Sequence, residues 1–163
     1  MNAPLRAPVQ FDIQGLVQAI SHNHSSDNFA PSLTTVQWDL LASYMQPFAL
    51  MASQRLIEQG ALDRTLYLVE SGTLSVHYED DKGRVRLAMV GPGSAVGEGA
   101  FFTRQPRNAT VQAAGICKIW CLTPIRFAEL CNRNPAVALE LAMALGSLVS
   151  RRLVNKPKRV AVT

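Results

Sequence analysis

Long apolar runs are missing from this 163-residue chain: although 48% of it is hydrophobic, no window reaches the length of a membrane span. The N-terminal MNAPLRAPVQFDIQ lacks the apolar centre of a secretory leader, so the expected location is the cytoplasm. Cysteine is scarce. Cys117, Cys121 and Cys131 are odd in number and contain no CxxC pair, which argues against a redox or iron–sulfur centre. A strand over residues 116–122 would place Cys117 and Cys121 on one face, where small apolar side chains bury. His22 and His24 of SHNHSS have no third or fourth ligand nearby, so a solvated loop is expected there and no metal. No nucleophile–base set, ligand cluster or carboxylate pair stands out either, so the chain is not expected to be an enzyme.

What is present is enough for one ordered globular domain: the length suffices for a core, and the 17% charged content is too low for a disordered chain. The formal net charge is +4, but its location matters more than its size. Arg151, Arg152, Lys156, Lys158 and Arg159 supply five positive charges, and removing them from +4 leaves −1 for the rest. The basicity is therefore a property of the C-terminal end. It reads as cations at a helix C-terminus followed by a solvated tail, with nucleic-acid or acidic-partner binding through RRLVNKPKR as the sharper alternative.

Three zones follow one another. A short periodic stretch (Phe11, Leu16, Val17, Ile20) predicts a helix, and SHNHSSDNFAPS reads as a linker. LTTVQWDLLASYMQPF then reads as a second helix, with Thr34 and Gln37 as a capping box and Leu33 and Trp38 as a hydrophobic staple. From residue 55 to 122 the texture becomes short strands (65–69, 73–78, 85–90, 109–113 and 116–122) separated by turn signals such as EDDKG and GPG. That spacing predicts an antiparallel sandwich or barrel. PIRFAELCNRN predicts a short helix, and Pro135 opens a longer one running to about Leu153. On the long helix Ala138, Ala142, Gly146 and Ser150 make a small-residue stripe beside a bulky one of Val137, Leu141, Leu145 and Leu148. The small stripe fits either packing on the chain's own sheet or a two-fold helix pair between subunits.

The most unusual text is VGEGAFFTRQPRNATVQA, residues 96–113, with Glu98 between two glycines and Arg107 nine positions on. A glycine turn entering a helix directs backbone N–H groups at an anion, Phe101 and Phe102 would anchor the loop in the barrel, and Arg107 would return its guanidinium to the same anion. Glu98 is acceptor-only as a carboxylate and needs a donor such as a sugar hydroxyl. An acid for a hydroxyl and an arginine for a phosphate describe a nucleotide with a free 2′-hydroxyl. A simple salt bridge between Glu98 and Arg107 is the other reading of the same residues.

Residues 55–130, and more loosely 33–153, resemble the cyclic-nucleotide-binding domain family of catabolite-activator-type regulators, regulatory subunits of cAMP-dependent protein kinase and cyclic-nucleotide-gated channels. LYLVESGTLSV resembles the family's early strand pair, VGPGSAVGE its turn into the phosphate-binding cassette, and GEGAFFTRQPRNAT the cassette. The resemblance implies an antiparallel β-roll (a double-stranded β-helix of jelly-roll type) with N-terminal helices and a long C-terminal helix. It divides the chain into an N-terminal extension and linker (1–32), the roll with its leading helix (33–130), a capping and dimerisation helix (131–153) and a basic tail (154–163). It implies that Glu98 accepts from the ribose 2′-hydroxyl and Arg107 neutralises the cyclic phosphate. The amides around Gly97, Gly99 and Ala100, and near Asn108 and Ala109, would complete the cradle, with no metal.

Two departures from the family bear on the ligand. Asn108 stands where alanine, serine or threonine is common, and Leu148, Val149, Arg151 and Arg152 occupy the purine-capping region without a hydroxyl pair. The preference for cAMP, with cGMP as the other possibility, therefore rests on the family's bacterial members. Only ten residues follow Leu153, too few for a helix-turn-helix, so DNA binding is not expected. The expected protein is a sensor acting through an unidentified protein effector or through a homodimer of residues 135–153. The alternatives are an interaction module of the same fold without nucleotide, or a regulator with a different effector.

Overall fold

A computed structural model describes residues 9–155. The first described element is α1 (Ile13–His22), capped by the Asp12 carboxylate on the Gln14 amide at 2.9 Å. Next comes α2 (Thr35–Ala42), whose capping box is complete: Thr34 accepts from the Gln37 amide and the Gln37 side chain accepts from the Thr34 amide. Strands follow as β1 (Gln46–Leu50), β2 (Arg55–Ile57), β3 (Leu66–Ser71), β4 (Leu74–Glu79), β5 (Val85–Val90) and β6 (Ala95–Val96). A short α3 (Glu98–Thr103) precedes β7 (Thr110–Ala113) and β8 (Cys117–Leu122), and α4 (Pro124–Arg133) and α5 (Pro135–Val154) complete the order.

The strands form two four-stranded antiparallel sheets, ordered β1-β8-β3-β6 and β2-β7-β4-β5. This is the expected β-roll with flanking helices. The second helix is shorter than its sequence indicates: it stops at Ala42, and residues 46–50 join the sheet as β1. Pro47 fits in β1 because this is an edge strand paired with β8, where a missing N–H is tolerated. The short β2 and β6 carry too few residues to show an alternation.

Alternation along β3 and β8 separates two cores. Val69, Cys117 and Ile119 face the space between the sheets, together with Val76, Val90 and Val111. Leu66, Leu68, Trp120 and Leu122 point the other way, into a cluster with residues of α1, α2, α4 and α5. Burial raises the thiol pKa of both Cys117 and Cys121. Ile13, Leu16, Ile20 and Phe29, all from the segment before residue 33, lie inside the helical cluster. The α1 backbone approaches β3 closely at Gly15, where an added Cβ would come within 2.8 Å of the Glu70 carboxylate.

The two stripes of α5 separate as well. Val137, Leu141, Leu145 and Leu148 are buried with Ala138, whereas Gly146 and Ser150 are exposed. A Cβ at Gly146 would meet nothing within 4 Å, so among the described residues no backbone beyond its own helix approaches it. The exposed face instead reads Leu139, Met143, Gly146, Ser150 and Leu153, positions that alternate by four and three residues. That is the spacing of a helix–helix seam.

Candidate functional site

Gly97 adopts φ +87°, a left-handed conformation that opens α3. Conformation is only half of its constraint: a Cβ here would lie 2.7 Å from Arg107 Nη1 and 2.8 Å from the Thr65 carbonyl. The turn is tight because the Arg107 guanidinium lies directly behind it. Nη1 donates to the Gly97 carbonyl at 3.0 Å, and Nη2 donates to the Thr65 carbonyl and to Asp63 Oδ2, each at 2.7 Å. The main chain of Arg107 is fixed too, its N–H on the Ala61 carbonyl and its own carbonyl receiving the Gly60 N–H. The Arg107 side chain is 0% exposed and Asp63 is 48% exposed, so the cation is inside and its counter-charge at the rim. Among the described residues, Arg107 Nε has no hydrogen-bond partner.

Glu98 does not pair with Arg107. It is fully buried, and its Oε1 accepts from Arg152 Nη1 of α5 at 2.6 Å. Arg152 therefore does not belong to a solvated basic end. Its Nε and Nη2 form a fork on the two oxygens of Asp27 at 2.8 and 3.1 Å, and Nη2 also reaches Ser94 Oγ and the Ala95 carbonyl. Burial alone would lower its pKa, but the charges of Glu98 and Asp27 outweigh burial and raise it. Its neighbour Arg151 donates to the carbonyls of Ser26 and Asn28, each at 2.6 Å. The segment between α1 and α2 is thus clamped by both arginines. Lys156, Lys158 and Arg159 of the expected basic tail lie outside the described residues.

The phenylalanines also divide. Phe101 is buried, but in the helical core against Phe127 at 5.1 Å rather than inside the roll, and Phe102 is 45% exposed. Neighbours on a helix point about 100° apart, and here Ala100 and Phe101 turn inward while Phe102 turns out. Gly99 and Ala100 form the first turn of α3, where helix geometry leaves N–H groups without intrahelical acceptors. Asn108 is exposed and Ala109 buried at the entry to β7. Sequence reasoning missed Asp63, Ser94 and Asp27 entirely, and it placed Arg152 near a purine rather than on Glu98. Among the described residues no group of three or more His, Cys, Asp or Glu is placed to hold a metal, and no helix is long and apolar enough to cross a membrane.

Two antiparallel sheets flanked by helices, with a short helix entered through a left-handed glycine that packs on a buried arginine, define a regulatory β-roll domain. The chain belongs to the cyclic nucleotide-binding domain family, whose model matches residues 48–134. It is 30% identical over 128 residues to the cAMP-activated global transcriptional regulator CRP of Salmonella typhimurium, covering 77% of this chain and 58% of that protein. The chain thus spans less than two thirds of the length of such curated relatives. A cyclic nucleotide-binding domain from Methylobacillus flagellatus superposes with a TM-score of 0.78 at 19% identity, over 91% of this chain and 85% of that one. The Thermus thermophilus catabolite activator protein gives 0.69 at 26% identity, over 85% and 60%.

Proposed function

We propose that this domain is a cyclic-nucleotide sensor that binds cAMP, with cGMP as the competing ligand, and signals through a homodimer or a protein effector. The observation that carries the reading is Arg107, a fully buried guanidinium with an unpartnered Nε–H beside the Gly97 turn. A buried donor left unmade destabilises by about 1–3 kcal/mol, and a phosphate oxygen would satisfy it with a charge-assisted bond. Arg107 would neutralise the cyclic phosphate, with the amides of Gly99 and Ala100 and those near Asn108 and Ala109 completing the cradle. Glu98, an acceptor with about four lone-pair sites, would take the 2′-hydroxyl alongside Arg152. The choice of cAMP follows the similarity to a regulator whose name states cAMP activation. The non-nucleotide alternative, in which Glu98 and Arg107 neutralise each other, has no support from the geometry, since each has a different partner.

Because both side chains are buried, binding requires a more open cassette, and the ligand shifts the population between closed and open forms. Isothermal titration with cAMP and then cGMP tests the reading. Saturable binding of either supports it, and the affinity ratio sets the base preference. Absence of heat and of any thermal shift with both, on folded ligand-free protein, overturns it.

The dimer is carried by the exposed Leu139, Met143 and Leu153 of α5, with Gly146 between them. Met143→Glu is expected to convert a dimer into a monomer in sedimentation velocity without shifting the thermal midpoint of the monomer. A wild-type protein that sediments as a monomer at high concentration would remove this part of the reading.

A further inference from the structure

Asp27 lies outside the stretch matched by the family model, in a segment whose sequence reads as linker. Its carboxylate nevertheless stands at the cassette, held by Arg152 and by Ser94 Oγ at 3.0 Å. The division of Arg152 between its two acids is unequal. Asp27 receives the fork, Nε and Nη2, while Arg152 reaches Glu98 through a single contact from Nη1 to Oε1. A guanidinium prefers bidentate carboxylate contact, so whichever acid takes the fork leaves the other with a smaller share of this cation. The segment carrying Asp27 is itself anchored: Phe29 N–H donates to the Gly93 carbonyl, Asn23 Nδ2 to the Pro92 carbonyl, and Arg151 holds Ser26 and Asn28.

We infer that Asp27 is a positioning residue for recognition of the nucleotide sugar, acting through Arg152 on Glu98; the inference rests on the nucleotide reading above. With Asp27 in place, the fork of Arg152 is occupied and Glu98 receives one arm of the guanidinium rather than two. Without it, Arg152 is released to turn its fork onto Glu98, which draws the carboxylate from the sugar and weakens it as an acceptor. Sugar discrimination in this domain then depends on a carboxylate contributed from before the roll.

The test compares cAMP with 2′-deoxy-cAMP on the full chain and on Asp27→Asn, a near-isosteric change, with Asp27→Glu as the conservative variant. Wild type is expected to prefer cAMP by about tenfold or more, the size of a hydrogen bond to a charged group. In Asp27→Asn the cAMP affinity should fall by about that factor while 2′-deoxy-cAMP is bound within about twofold of wild type, and Asp27→Glu should restore part of the preference. A purely structural role would weaken both ligands equally, and that result overturns the inference, as does an unchanged ratio. Arg107→Ala separates the two levels, since it should weaken both nucleotides in every background. If wild type binds neither nucleotide, the nucleotide reading fails and takes the sugar role with it. Amide exchange in α5 then shows whether Asp27 merely anchors the helix.

Discussion

Arg152→Met should lower the stability of this domain more than removal of either acid that Arg152 contacts. The substitution leaves Glu98 completely buried and Asp27 beside it, with the cation between them gone. Removing one partner from a buried ion pair typically costs about 3–5 kcal/mol, because the remaining charge is uncompensated. In a domain of this size that corresponds to a fall in Tm of about 6–20 °C. Glu98→Gln removes an acid and leaves Arg152 with Asp27, Ser94 and the Ala95 carbonyl, so its cost should be about 1–2 kcal/mol. The double variant Arg152→Met/Glu98→Gln should recover part of the single-variant loss. Urea unfolding of the four proteins checks this, and additive losses would mean that the two groups do not interact in solution.

Arg107→Ala should reduce cyclic-nucleotide affinity by at least about 100-fold, since it removes a desolvated charge and its geometry together. The lysine variant discriminates between those contributions. A lysine keeps the charge but cannot donate simultaneously to Gly97, Thr65 and Asp63 while turning another N–H to the ligand. It should therefore bind about tenfold more weakly than wild type and better than alanine. The alanine change leaves the Gly97 and Thr65 carbonyls without this donor, so titrations belong at low temperature on protein shown to be folded by circular dichroism. Equal affinity of all three proteins would remove Arg107 from the ligand site.

The fold was legible in the sequence wherever the signal was local. Thr34 and Gln37 announced a helix start, the EDDKG turn separated β4 from β5, and Pro135 marked the start of α5. Where a local rule met a tertiary exception it failed: Pro47 hid an edge strand whose partner lies some seventy residues away. The site divided in the same way. Gly97, Glu98 and Arg107 carry a compact motif, and the structure does gather them around one turn. Asp27 and Arg152 carry no motif, because their chemistry appears only when residues 125 positions apart meet. Read locally, one is an aspartate in a linker and the other a cation at a basic helix end, and the burial of Arg152 overturns the second reading.

That separation also orders events in a chain leaving the ribosome. Glu98 is made 54 residues before Arg152, a delay of about 3–10 s at ordinary elongation rates. Throughout that interval the carboxylate lacks the guanidinium it is buried against, so a roll that closed early would trap an acid without this cation. The final turn of α5 supplies it. Nascent domains are therefore expected to stay loose at the cassette until the last helix docks, and the buried ion cluster exists only once that helix has been made.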